Sequence, residues 1–160
     1  MSHLPSGRRL PAPPAPAVRA PVVRAAALAY AALLAVVTLL PIRWGAGLAR
    51  YPGNWRPQLV PVWNLVANLG HADRAPAVLA GAAGNVALFV PLGFLLPLLA
   101  PWFDRRRRTV TAGLALSAAI ELSQLAFPGV RRADVNDLLL NTLGTAVGFA
   151  AYRLAARSRA

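Results

Sequence analysis

AVLAGAAGNVALFVPLGFLLPLLAPW, residues 77–102, contains no charged residue. At ~1.5 Å per residue, a helix of this length crosses the ~30 Å hydrocarbon core of a bilayer. Hydrocarbon offers the backbone no hydrogen-bond partners, so such a segment is predicted to be a membrane-spanning helix, and any neighbours that span with it are helices too. Working outward from it, AAALAYAALLAVVTLLPI (residues 25–42) is a second apolar run of spanning length. Two further runs follow, at about residues 109–127 and 138–154. The first run is read as an anchored helix, because its apolar core exceeds the roughly 7–15 residues of a signal-peptide h-region. The small residues of AGLA (residues 46–49) keep a cleavable signal peptide open as the alternative.

Composition agrees with a membrane protein. Hydrophobic residues make up 57% of the 160 and mean hydropathy is +0.50, both high for a soluble domain. The net charge of +12 comes entirely from arginine, with no lysine. A charge of this size can mark a nucleic-acid binder, but here the arginines sit between apolar runs, where they set membrane orientation. No nucleic-acid partner is expected. The absence of cysteine excludes disulfides, thiolate metal ligands and thiol catalysis. His3 and His71 stand apart with no second ligand at metal spacing, so neither a metal nor a cofactor is expected.

The expected fold is all-α, an integral membrane bundle of about four transmembrane helices with both termini cytoplasmic. With four spans, the N-terminal side holds eleven arginines, Arg105–Arg108 among them, against six on the other side. The positive-inside rule then assigns the arginine-rich side to the cytoplasm. Residues 1–21 read as a disordered Pro/Arg-rich tail, 22–154 as the transmembrane domain and 155–160 as a short basic tail. The loop at about 43–76 carries Trp44, Tyr51, Trp55 and Trp63, aromatics suited to the headgroup level.

The chain has five acids, and three of them are Glu121, Asp134 and Asp137. Successive helical residues turn about 100°, so spacings of three and four share a face. Asp134, Asp137, Asn141, Gly144 and Gly148 follow that spacing, as do Gly113, Ser117, Glu121 and Gln124. Gly81, Asn85, Phe89 and Gly93 recur at every fourth residue. Gly93, Gly144 and Gly148 are read as helix-packing positions, since small residues let membrane helices approach closely. Asp134 and Asp137 suit an N-cap and a first-turn acid. Asn85, Glu121, Gln124, Arg131, Asp134, Asp137 and Asn141 all fall towards the extracytoplasmic half, where they are expected to form a polar site. An acid in a span costs roughly 2.5–3.5 kcal/mol near the centre on insertion scales, so Glu121 calls for compensation. Arg131 or Gln124, a bound cation, or protonation would supply it.

These residues carry a family resemblance. NVALFVPLGFLLP (85–97) and IELSQLAFPGVRRADVNDLLLNTLGTAVG (120–148) together resemble the VanZ-like family of small bacterial membrane proteins. The family's arginine falls on Arg131, its acids on Asp134 and Asp137, and its amide on Asn141. Asn136 stands where relatives often have a further acid, and Gln58 where they have asparagine. The resemblance implies a multi-pass protein of the cell membrane, with a founding relative associated with resistance to the glycopeptide teicoplanin.

The leading expectation is a non-enzymatic envelope protein whose polar site binds an amphiphile, a lipid-linked cell-wall precursor or a lipoglycopeptide. Two alternatives stay open: an intramembrane enzyme acting on a lipid or cell-wall precursor, and a small transporter or accessory subunit. The expected partners are membrane lipids, and oligomerisation is compatible with every reading.

Overall fold

A computed structural model describes residues 19–39, 66, 69–125 and 134–158. They form four α-helices: α1 (Arg19–Leu39), α2 (Ala75–Leu99), α3 (Arg106–Leu125) and α4 (Val135–Arg157), with a short 3-10 turn at Pro101–Phe103. Most of the N-terminal tail and of the 43–76 loop, the AGLA stretch and Arg131 lie outside the described residues.

Local chemistry sets the helix ends. α1 starts before residue 25 with Pro21 in its first turn, and α2 has Pro76 there. Proline is tolerated at these positions because the first turn has no intrahelical acceptor for its missing N–H. α2 stops at Leu99, three residues short of the apolar run's end, with Ala100 extended at φ −148° and ψ 129°. The ring of Pro101 disfavours helical geometry in the residue before it. α3 takes Arg106–Arg108 into its first turn. α4 begins one residue after Asp134 and continues past Leu154 to Arg157.

Side-chain bonds define the topology. Gln124 near the end of α3 donates to the Thr38 carbonyl near the end of α1. Asn85 in the first half of α2 donates to Asp137 at the start of α4. Arg153 late in α4 pairs with Asp104 just before α3. The helices therefore alternate in direction. One end of the bundle gathers Arg24, Arg105–Arg108, Arg153 and Arg157; the other gathers Glu121, Gln124, Asp134 and Asp137.

The closest pairing is α2 with α4, which meet backbone to backbone. A Cβ on Gly93 would overlap the Thr145 carbonyl, one on Gly144 the Val86 carbonyl, and one on Gly148 the Val90 carbonyl. At Gly113 of α3, a Cβ would overlap the Thr145 side chain. α1 is held more sparsely, against α2 and α3. Tyr30 donates to the Leu88 carbonyl at 3.0 Å, and a small apolar cluster of Leu34, Phe89 and Ile120 packs beside it.

Polarity runs opposite to that of a soluble bundle. Thr109, Ser117, Thr145 and Asn141 are buried between helices, while Leu28, Leu122 and Leu154 are 72%, 66% and 65% exposed. In water, apolar side chains belong inside; in lipid, outward leucines cost nothing and buried hydroxyls and amides pair across helices. Three helices, α1, α2 and α4, are long and apolar enough to cross a membrane. α3 is not among them: its first turn is Arg106–Arg108, and Glu121, Ser123 and Gln124 crowd its last.

Candidate functional site

The candidate site lies where α2, α3 and α4 come together at the acidic end, and it is built from the start of α4. Asp134 is the N-cap, and its Oδ1 accepts from the Asn136 N–H at 2.8 Å and from Asn136 Nδ2 at 2.9 Å. Such a cap satisfies an amide the helix leaves unpaired. Asp137 falls in the first turn, where a negative charge complements the helix dipole.

Two contacts tie this cap to the other helices. The Asp134 N–H donates to Glu121 Oε2 of α3 at 2.8 Å. Asn85 Nδ2 of α2 donates to Asp137 Oδ1 at 2.5 Å. A backbone amide at the mouth of the next helix is therefore one group that compensates the Glu121 carboxylate. That partner is absent from the set anticipated for Glu121, because periodicity within a helix does not report a contact across a loop. Gln124, three residues along, turns away to α1, with its Nε2 3.2 Å from the Thr38 carbonyl.

One turn deeper, Asn141 Nδ2 donates to Ser117 Oγ of α3 at 2.9 Å. Asn141 is 5% exposed and Ser117 and Thr145 are fully buried. The Asn141 backbone carbonyl accepts from Thr145 Oγ1 at 3.0 Å. Its side-chain Oδ1 is buried and accepts no hydrogen bond from any described residue. Leaving such an acceptor unpaired costs ~1–3 kcal/mol.

Asn85 is thus bonded to Asp137 and Asp134 to Glu121, Asn141 one turn deeper bonds to Ser117, Gln124 bonds to the neighbouring α1, and Arg131 is outside the described residues. The sequence reading put Ser117 on the right face but did not count it in the site; its spacing of four from Glu121 was the available signal. Thr145, four residues after Asn141, was likewise legible. Thr38 carried no signal, since only packing brings α1 to Gln124.

Chemically the cluster offers carboxylate oxygens and amides. Among the described residues, no three of His, Cys, Asp and Glu stand close enough together to hold a metal ion. His71 is exposed in the turn before α2, where its carbonyl accepts from the Arg74 and Ala75 amides.

Compared with known families, residues 27–156 match the model described as VanZ/LLP1. No curated protein and no solved structure matches.

Proposed function

The chain belongs to the VanZ/LLP1 family, and from that premise we propose that it is a multi-pass cell-membrane protein acting at the cell envelope without catalysis. Its acidic end binds the polar head of an amphiphile, either a lipid-linked cell-wall precursor or a lipoglycopeptide of the teicoplanin type. All four helices span, α3 being carried across by its neighbours, and both termini are cytoplasmic. The acidic end then faces outward, where such ligands are met.

The observation that supports this reading best is the orphan acceptor on Asn141 beneath the Glu121–Asp134–Asp137 cluster. A ligand N–H or O–H entering from the acidic end satisfies it, and the carboxylates suit an ammonium or further hydroxyls. No Ser–His or Cys–His pairing is available to the described residues for a nucleophilic step, since cysteine is absent and His71 is in a turn.

The test is antibiotic susceptibility in a host expressing the wild type or Glu121→Gln at matched membrane levels, with vancomycin as the contrast to teicoplanin. Glutamine retains an oxygen that can accept from the Asp134 amide, so the charge is removed while the cap contact is kept. The expected result is reduced teicoplanin susceptibility with the wild type and loss of that effect in the variant. An effect of equal size in both would mean that Glu121 serves packing alone.

A further inference from the structure

A second feature opens at the arginine end of the molecule and runs along α1 as far as Thr38, whose carbonyl accepts from Gln124. Between α1, α2 and α3 runs a groove of about 620 Å³ lined almost entirely by carbon, including Leu28, Ala31, Leu96, Leu99 and Ile120. It extends along α1 from Arg24 to Thr38, about 21 Å at the helical rise. One leaflet of the hydrocarbon core is about 15 Å deep, so the groove is long enough to take the full depth of one acyl chain. α1 packs sparsely, which is why the space exists.

Arg24 stands at the mouth of this groove. All five acids of the chain are among the described residues, and none of them pairs with Arg24. Arg105–Arg107 lie at the same end of the bundle, also without an acid, while Arg108 stacks 4.7 Å over Trp102. Trp102 is 57% exposed, as suits an aromatic at a headgroup boundary.

We propose that the groove is a binding site for an anionic phospholipid, with one acyl chain lying along α1 and the phosphate on Arg24. Charge decides the occupant. A second copy of this chain would bring its own arginines to a mouth that has no acid to receive them, whereas a lipid phosphate supplies the missing partner through a charge-assisted bond. The lipid would also complete the packing of α1, whose own contacts with the bundle are few. Whatever the acidic end binds, this site stands or falls separately.

The experiment uses the full chain, delipidated in detergent and titrated with phosphatidylglycerol or phosphatidylcholine of identical acyl chains. Bound lipid is counted by native mass spectrometry. The wild type is expected to retain phosphatidylglycerol preferentially. Arg24→Gln, at an exposed position, should cut that preference about five-fold, the share of one interfacial arginine. Ala31→Trp fills the groove and should abolish tight binding of both lipids, with an unchanged circular dichroism spectrum showing that the bundle is intact. A preference that survives Ala31→Trp would reflect attraction to the Arg105–Arg108 surface and would overturn the proposal. So would a preference untouched by Arg24→Gln, or a dimer with no lipid dependence.

Discussion

At the scale of single residues, glycines differ sharply in what they can tolerate. Gly148 faces the Val90 carbonyl and Gly93 the Thr145 carbonyl, both backbone atoms that cannot rotate aside, while Gly84 has nothing within 4 Å. Gly93→Ala and Gly148→Ala are each expected to destabilise by at least the ~1–3 kcal/mol of overpacking. Gly84→Ala should be neutral or stabilising by up to about 1 kcal/mol. Unfolding of the three variants in a common detergent checks the contrast. The Asn85–Asp137 bond has its own test: a double-mutant cycle with alanine at both positions should give a coupling of about 0.5–3 kcal/mol. The spacing of three and four made these stripes visible in the sequence. It could not show that Glu121 meets an amide thirteen residues away, because that contact depends on the path of the chain between two helices.

At the scale of elements, α2 and α4 are the most closely packed pair while α1 is attached by few contacts. Tyr30→Phe removes the hydroxyl that donates to the Leu88 carbonyl, a bond worth about 0.5–1.5 kcal/mol. The expected outcome is faster hydrogen exchange in α1, with α2 and α4 unchanged. Equal acceleration in all three would mean that α1 is integral to the core. The helices themselves were legible as apolar runs, and the end of α2 was legible in Pro101. The α1 groove was not. A groove is a deficit of packing between elements, and α1 reads as the same apolar run whether its neighbours close on it or stand apart.

At the scale of the whole molecule, charge divides the bundle. Arg24, Arg105–Arg108, Arg153 and Arg157 share one end, where Asp104 is the only acid, and Glu121, Asp134 and Asp137 share the other. If the arginine end is cytoplasmic, as the positive-inside rule requires, a fluorescent protein fused to either terminus should fluoresce in bacteria. Alkaline phosphatase inserted at residue 72 or within 126–133 should be active, and at either terminus inactive. Activity at 72 combined with inactivity at 126–133 would show that α3 does not cross. The uneven spacing of the arginines made the division of charge between the two ends readable from sequence. Whether α3 spans was less legible, because three arginines and a glutamate leave it little uninterrupted apolar length.

The glycine seam also governs how the protein is made. Its two halves, Gly93 on α2 and Gly144 with Gly148 on α4, are separated in sequence by the whole of α3. Between completion of α2 and completion of α4, the ribosome adds about 60 residues, which takes roughly 3–12 s. Until Asp137, Gly144 and Gly148 are synthesised, α2 presents a notched surface and the Asn85 amide without their mates. The bundle's strongest joint therefore closes last, and a nascent chain truncated before α4 would carry both as a mark by which membrane proteases could tell it from the finished product.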